Sequence, residues 1–499
     1  MLTNAAHTPL LVFGIDAGDP ALLESWIADG SLPHLAALVR EGSCARTGGE
    51  ELSMEHGAWI TLMSGVSRAQ HGYHYYRQLV PGSYRLALTT GPDPVVLPFW
   101  SECTDRRLVV VDVPDVDPVD GLDGVQVADL AVHNRERVGV SLPAHVLPDA
   151  LRTIGDVRDI PEAFRSTDGV DQRILSRLLA RVERKGHVVR RLVSDTVPDV
   201  SVIVFGEGHT AGHQFWRHHH RADADPALRN GIRAVYQAID AELGALGALL
   251  PASHNVAVVS SVGLRSLYPG GGLGEAMLRA LGYQQAPRPA AATGIPGPLT
   301  VARRLLPMAV REWLSRFLSR ETRERLLADG FVNGTDWSRT RAFAIPSAFQ
   351  SFVRVNLQGR EPQGVVAPGV DYVALLDELE VDLRALRDAE TGRPLATHVT
   401  RMMSADGVAP HVLPDIIVDW DFSDRFITTI DHPRARITLS EPEFFRDSEH
   451  TAEGFLAVAG PDAPLLSAAA SFEARAVASL LRCMATGAAG DTAHEPRRE

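Results

Sequence analysis

The sequence predicts a doubly wound, mostly parallel α/β sheet with an inserted helical segment. Two observations predict it directly: short unbroken apolar runs end in polar residues, as strands buried on both faces do, and amphipathic helical stretches separate them. A third sets the scale. The chain has 499 residues, 45% of them hydrophobic and 22% charged, which is enough for a large core.

Leu10–Ile15 (LLVFGI) is the first such run, closed by Asp16, Gly18 and Asp19. Pro20–Gly30 reads as a helix with Leu22, Leu23, Trp26 and Ile27 on one face and Gly30 as its stop. Further strands are expected at Leu108–Val113, Val200–Phe205, Val256–Ser260 and Ile416–Val418. Helices at Asp171–Arg191 and Pro226–Leu250 fall between them. Chemistry in such a sheet collects at the carboxyl ends of the strands. Residues 8–285 and 335–485 are therefore read as one α/β domain. Residues 286–334 interrupt it, first as a Pro/Ala/Gly-rich linker and then as a basic amphipathic stretch carrying Leu305, Met308, Trp313, Leu314, Phe317 and Leu318. Such a stretch suits a lid, although a helical pair packed on the sheet edge has the same pattern. Residues 486–499 lack apolar periodicity and read as a disordered tail.

Composition excludes several classes. The net charge of −13 argues against a nucleic-acid groove, which needs a basic face. Lys185 is the only lysine, so Schiff-base and P-loop chemistry have almost no candidate. The three cysteines form no CxxC pair and read as reduced thiols. No apolar window approaches the ~18–20 residues of a membrane span, and no export signal precedes Leu10. A cytoplasmic protein with no membrane partner is expected.

The densest polar cluster, Glu207-Gly-His209-Thr-Ala-Gly-His213, directly follows the strand Val200–Phe205. On a helical turn His209 and His213 project from one face and can converge on one metal ion, with Glu207 as an oxygen ligand from the other side. The run His218–His220 reads as a solvated helix surface. A second cluster runs from Ser53, Glu55 and His56 through Trp59 and Ser64-Gly65 to His71-Gly72, on what looks like a turn entering a helix. A third is Ser448-Glu449-His450, before the apolar run Phe455–Ala459.

In this order the clusters resemble the alkaline phosphatase superfamily, and within it the type I phosphodiesterase/nucleotide pyrophosphatase group. Also matching are Gly14-Ile-Asp16-Ala-Gly-Asp19, Gly30-Ser-Leu-Pro33 to Gly42, Val355-Asn-Leu-Gln-Gly-Arg360 to Gly364, Thr391-Gly-Arg-Pro394 and Leu413-Pro-Asp415 to Val418. The resemblance covers most of residues 10–465 and implies an alkaline phosphatase-like sheet. It also implies two metal ions, usually zinc, about 3.5–4 Å apart, clamping a phosphoryl group. Asp16 matches a first-strand ligand, His213 the histidine of an Asp-x-x-x-His pair, and His450 a late histidine.

The departures are specific. His209 stands where that pair has its aspartate. Ser261-Val262 replaces an Asp-His pair after the strand Val256–Ser260. Glu55 aligns with the hydroxyl nucleophile. The second site is thereby stripped, so one divalent ion is expected, with zinc preferred and manganese or iron also suited. Its ligands are drawn from Asp16, Glu207, His209, His213 and His450, Asp16 fitting a supporting place behind them. Glu55 can be a ligand, a carboxylate nucleophile or a general base. The last is preferred, because a glutamate can deprotonate water without forming an acyl phosphate. A register slip of two would instead restore Ser53 as the nucleophile. Arg77 and Arg265 are candidate contacts to an anionic substrate, though salt bridges suit them equally.

The leading expectation is a metal-dependent hydrolase that cleaves a phosphoester, phosphodiester or related bond in a small molecule through metal-activated water. A repurposed enzyme on this fold, acting on a non-phosphate substrate, is the alternative. A non-catalytic binding protein is a third. Oligomerisation stays open.

Overall fold

In a computed structural model the described residues are 8–52, 56–92, 95–131, 138–160, 162, 166–266, 271–288, 320–347, 350–402, 412–421, 426–439 and 448–487. The chain divides into two compact units. The first draws on Met1–Tyr76, Thr90–Ser266 and Arg446–Glu499, the second on Arg77–Thr89 and Leu267–Phe445. The residues read from sequence as one α/β domain are thus shared between two units.

The first unit is built on a nine-stranded sheet. Its strands are β1 (Leu10–Ile15), β2 (Ser43–Gly48), β3 (Arg107–Val111), β4 (Asp123–Ala128), β5 (Val140–Leu142), β6 (Val200–Phe205) and β7 (Asn255–Ser260). A separate two-stranded ribbon pairs β8 (Gly263–Ser266) with β9 (Ser448–Thr451), and β10 (Gly454–Ala459) and β11 (Phe472–Glu473) complete the main sheet. The order is β11-β2-β10-β7-β1-β6-β3-β4-β5. Strands β7, β1, β6, β3 and β4 run parallel, whereas β10 and β5 are antiparallel to their neighbours.

The unbroken apolar runs are explained by burial on both sides. Leu11, Phe13 and Ile15 of β1 enter one core with α1 (Pro20–Ala28), α2 (Pro33–Glu41), α4 (Asp168–Thr196), α5 (Glu207–His220) and α6 (Gly231–Gly247). Leu10 and Val12 enter the opposite core, shared with α3 (Ala58–Ser64) and α7 (Ala476–Thr486). Alternate residues of one strand thus feed different layers, which makes the sheet doubly wound. Lys185 of α4 is 1% exposed and its ammonium lies 2.6 Å from Asp112, just beyond β3, while donating to the Val204 carbonyl at 2.7 Å. The lone lysine is a strut, not a nucleophile.

The second unit holds a four-stranded sheet of Ala342–Ile345, Ser351–Val355, Ile416–Trp420 and Ala396–Arg401, each antiparallel to its neighbour. Ile416–Val418, expected in the parallel sheet, is a strand here instead. Its side chains pack with Leu375, Leu379 and Leu383 of the helix Val370–Ala385. Of the expected lid, only residues 320–334 and the linker residues 286–288 are described; Arg320–Asn333 is helical, and the remainder lies outside the described residues. Most of the expected tail does too. Among the described residues no helix is long and apolar enough to cross a membrane.

Candidate metal centre

Strands β6, β1 and β7 end level, with Phe205, Ile15 and Ser260 in register. Their carboxyl edges therefore release Asp16, Gly206 and Ser261 side by side. The turn after β1 is pinned from several directions. Ser260 Oγ donates to the Gly18 carbonyl at 2.7 Å, and Ser261 Oγ accepts from the Ala17 amide at 3.1 Å. Asp19 caps α1 through the Leu22 amide and reaches β8 through the Leu264 amide, at 2.9 and 2.8 Å. A turn so fixed can hold a carboxylate at one angle.

Helix α5 begins at Glu207, so His209 and His213 share a face one turn apart. Strand β9 brings His450 to the same place. The three ring centroids are 4.8–4.9 Å apart, and Nε2 of His213 lies 3.1 Å from Nε2 of His450. Close packing of α5 against β8 depends on Gly212: a Cβ there would lie 2.3 Å from Leu264 Cδ1.

Hydrogen bonding sets the tautomer of all three rings. His209 Nδ1 is 2.8 Å from Asp16 Oδ2, a carboxylate that only accepts. His450 Nδ1 is 3.2 Å from the Gly263 carbonyl, again only an acceptor. Ser448 Oγ donates to the Gly212 carbonyl at 3.2 Å, so at 3.0 Å it accepts from His213 Nδ1. In the neutral ring each Nδ1 therefore carries the proton and each Nε2 the lone pair. Two such lone pairs 3.1 Å apart repel unless a metal ion or a shared proton lies between them. Three imidazoles, each oriented through its second nitrogen, are in their neutral form a donor set for Zn²⁺, Mn²⁺ or Fe²⁺. The residues fit one such ion.

Among the described residues, Asp16, Ser261 and Val262 do not assemble a second donor set beside it. Asp16 Oδ1 accepts from Trp59 Nε1 at 2.7 Å and from Ser261 Oγ at 2.9 Å, while Oδ2 faces His209. Val262, 1% exposed, belongs to the apolar core. Asp16 therefore lies behind His209 as a hydrogen-bond acceptor. Glu207 does not join the imidazoles. It is two residues from His209 on a helix, roughly 200° around the axis, and turns to α4, where Arg181 Nε donates to it at 2.9 Å.

The other expected site residues are placed as follows. Glu55 and Ser53 lie outside the described residues. Arg77 belongs to the second unit and makes a paired contact with Glu324 at 2.8 Å through Nε and Nη2. Arg265 lies on β8 opposite Glu449. His218, expected on a solvated surface, is 2% exposed and lies 2.7 Å from buried Asp171. Its helix is covered by α4 on that side, which the sequence run of histidines did not reveal. Ser448 was missed as a support for His213, although its position two before His450 on a strand puts both on one face.

His71 is structural. Thr61 Oγ1 donates to the Val66 carbonyl, so it accepts from His71 Nε2 at 3.2 Å, and the Tyr73 amide donates to Nδ1 at 3.1 Å. Burial, aided by the charge of Arg68, lowers its pKa to about 3. The unfolded chain takes up a proton near pH 6.5 that the fold refuses, so stability falls as pH drops from there toward 3. His71→Asn, whose carbonyl replaces Nδ1, should flatten urea-derived stability between pH 6 and 4.5 by up to about 1.4 kcal/mol per pH unit. An unchanged slope would reject the assignment.

No protein-family model matches the sequence, and no curated protein matches it. Solved structures do. Phosphonoacetate hydrolase from Sinorhizobium meliloti 1021, in complex with phosphonoacetate, is 13% identical over 96% of both chains, with a TM-score of 0.52. The same enzyme with phosphonoformate gives 13% and 0.50 over the same shares. Murine ectonucleotide pyrophosphatase/phosphodiesterase 5 is 12% identical over 98% of this chain and 97% of that one, with a TM-score of 0.43. The mostly parallel sheet, its helical layers and the match to phosphonoacetate hydrolase give this chain an alkaline phosphatase-like fold.

Proposed function

We propose that this chain is a metal-dependent hydrolase acting on a phosphoester, phosphodiester or related bond in a small anionic molecule. The observation that carries the reading is the convergence of His209, His213 and His450 with every Nδ1 fixed by an acceptor. One divalent ion held there would supply Lewis acidity to a phosphoryl oxygen and lower the pKa of a water molecule. The chain's own contribution is orientation. Asp16 holds His209, Ser448 holds His213, and the Gly263 carbonyl holds His450. Glu55, which directly precedes His56-Gly57 and the start of α3, is proposed as the general base that removes a proton from the attacking water. The fold shared with an enzyme that binds phosphonoacetate supports a small phosphorus-containing anion as the substrate class.

Elemental analysis of metal-loaded protein, with assays on p-nitrophenyl phosphate, bis-p-nitrophenyl phosphate and phosphonoacetate, tests the reading. One ion per chain and turnover of at least one of these is expected. Glu55→Gln should keep the ion and lose about 100-fold or more in turnover, the usual contribution of a positioned base. Full activity in that variant would remove Glu55 from the mechanism. A second reading, a non-phosphate substrate, draws on the diversion of Asp16 from a metal ligand to a hydrogen-bond acceptor. Metal-loaded protein that turns over none of the three but does turn over another metabolite would select it.

A further inference from the structure

We infer that Trp59 and Ser261 form a clamp on Asp16 that positions His209 for metal binding, an inference that rests on the metal-centre reading above. Both donors act on the same oxygen, Asp16 Oδ1, at 2.7 and 2.9 Å, and this fixes the plane of the carboxylate. Its other oxygen then faces His209 Nδ1 at 2.8 Å. The path from indole to imidazole is thus two hydrogen bonds long.

The indole ring, carried on α3, packs in the core, and the direction of its N–H is what sets it apart. Packing alone does not require a partner for a buried indole N–H in this unit. Trp100 is 0% exposed, and its Nε1 has no hydrogen-bond partner among the described residues. Trp59, 2% exposed, instead directs its N–H at the carboxylate behind the imidazoles. Strand β1 makes room for that. A Cβ on Gly14 would lie 2.7 Å from Trp59 Cη2 and 2.6 Å from Val204 Cγ2, so only a bare Cα lets the ring cross the strand. Ser261 is equally committed, since its oxygen accepts from the Ala17 amide and its hydrogen goes to Asp16. Each donor lost gives the carboxylate freedom to rotate, and His209 then loses its fixed tautomer. Trp59 and Ser261 are positioning residues, because both donate to Asp16 and act on His209 only through it.

The test is metal affinity, measured by competition of Zn²⁺ against a chromophoric chelator in wild type, W59F, S261A and W100F. W59F and S261A should each weaken binding about 10–100-fold, the usual cost of a lost supporting hydrogen bond at a metal ligand. W100F removes an indole of the same kind without touching the clamp. It should lower thermal stability but leave affinity at the wild-type value. Loaded with Co²⁺, W59F and S261A should also show a visible absorption band displaced from that of wild type and W100F. Should W59F fail to fold, the smaller S261A change reads the same carboxylate. Wild-type affinity in both clamp variants, with wild type itself taking up zinc, would overturn the clamp alone. A wild-type chain that takes up no zinc would bring down the metal-centre reading and the clamp together.

Discussion

Replacing His213 with alanine is expected to abolish stoichiometric metal binding and, with it, turnover. His213 is one corner of a near-equilateral triangle of rings 4.8–4.9 Å apart, and its Nε2 is 3.1 Å from that of His450. The two imidazoles that remain leave a tetrahedral site two donors short instead of one. The loss of affinity should therefore exceed the ~10–100-fold expected when only a supporting hydrogen bond is removed. A thermodynamic readout accompanies it. A ligand at about 100 times its Kd stabilises the fold by about 2.7 kcal/mol, so zinc should raise the melting temperature of wild type and leave that of the alanine variant where it was. An equal zinc-dependent shift in both proteins would place the ion somewhere other than these three histidines.

Replacing Asp415 with alanine is expected to destabilise the second unit by about 3–5 kcal/mol while leaving metal content unchanged. Asp415 is 0% exposed and carries four hydrogen bonds. Oδ1 accepts from Arg360 Nη1 at 2.8 Å and from Tyr372 Oη at 2.6 Å, and Oδ2 accepts from Arg360 Nη2 and the Val355 amide, both at 2.6 Å. Glu361 completes the network, taking Arg354 Nε at 2.8 Å and Arg360 Nε at 2.9 Å. Two guanidiniums are balanced by two carboxylates. Without Asp415, one carboxylate is left to serve both arginines in a sealed interior, and the Val355 amide loses its acceptor. Urea denaturation followed by tryptophan fluorescence would measure the cost, with elemental analysis beside it. A stable variant that lost activity would instead place Asp415 in the chemistry.

That network also accounts for sequence motifs that carried the family resemblance without an assignable role. Arg360, Glu361 and Asp415 stand in the segments Val355–Gly364 and Leu413–Val418. Buried charge paired in this way accounts for these residues, and no catalytic duty is needed to explain them. His71-Gly72 is a similar case. Its imidazole is locked between Thr61 and the Tyr73 amide, far from a protonation change at neutral pH.

Much of the fold was legible in the residues themselves. β1 and β6 have the limits that the apolar runs predict, because a strand buried on both faces carries almost only apolar side chains until it leaves the sheet, Ser201 being the exception in these two. The pairing of His209 with His213 followed from helical period alone. Other readings went astray where a period of short range met a surface of long range. Glu207 is close to His209 in sequence but turns away on the helix. His218 resembled its exposed neighbour His220, yet α4 covers it. Ile416–Val418 has the composition of a parallel strand and lies in an antiparallel sheet.

Local sequence thus determined which segments become strands and helices, and which residue types carry lone pairs suited to a metal. What only the tertiary structure decided is the direction of those lone pairs. Asp16, Ser448 and the Gly263 carbonyl reach their histidines across as many as 235 residues of chain. A tautomer is set by whichever acceptor the folded backbone places beside Nδ1, and no pattern along the chain encodes that neighbour.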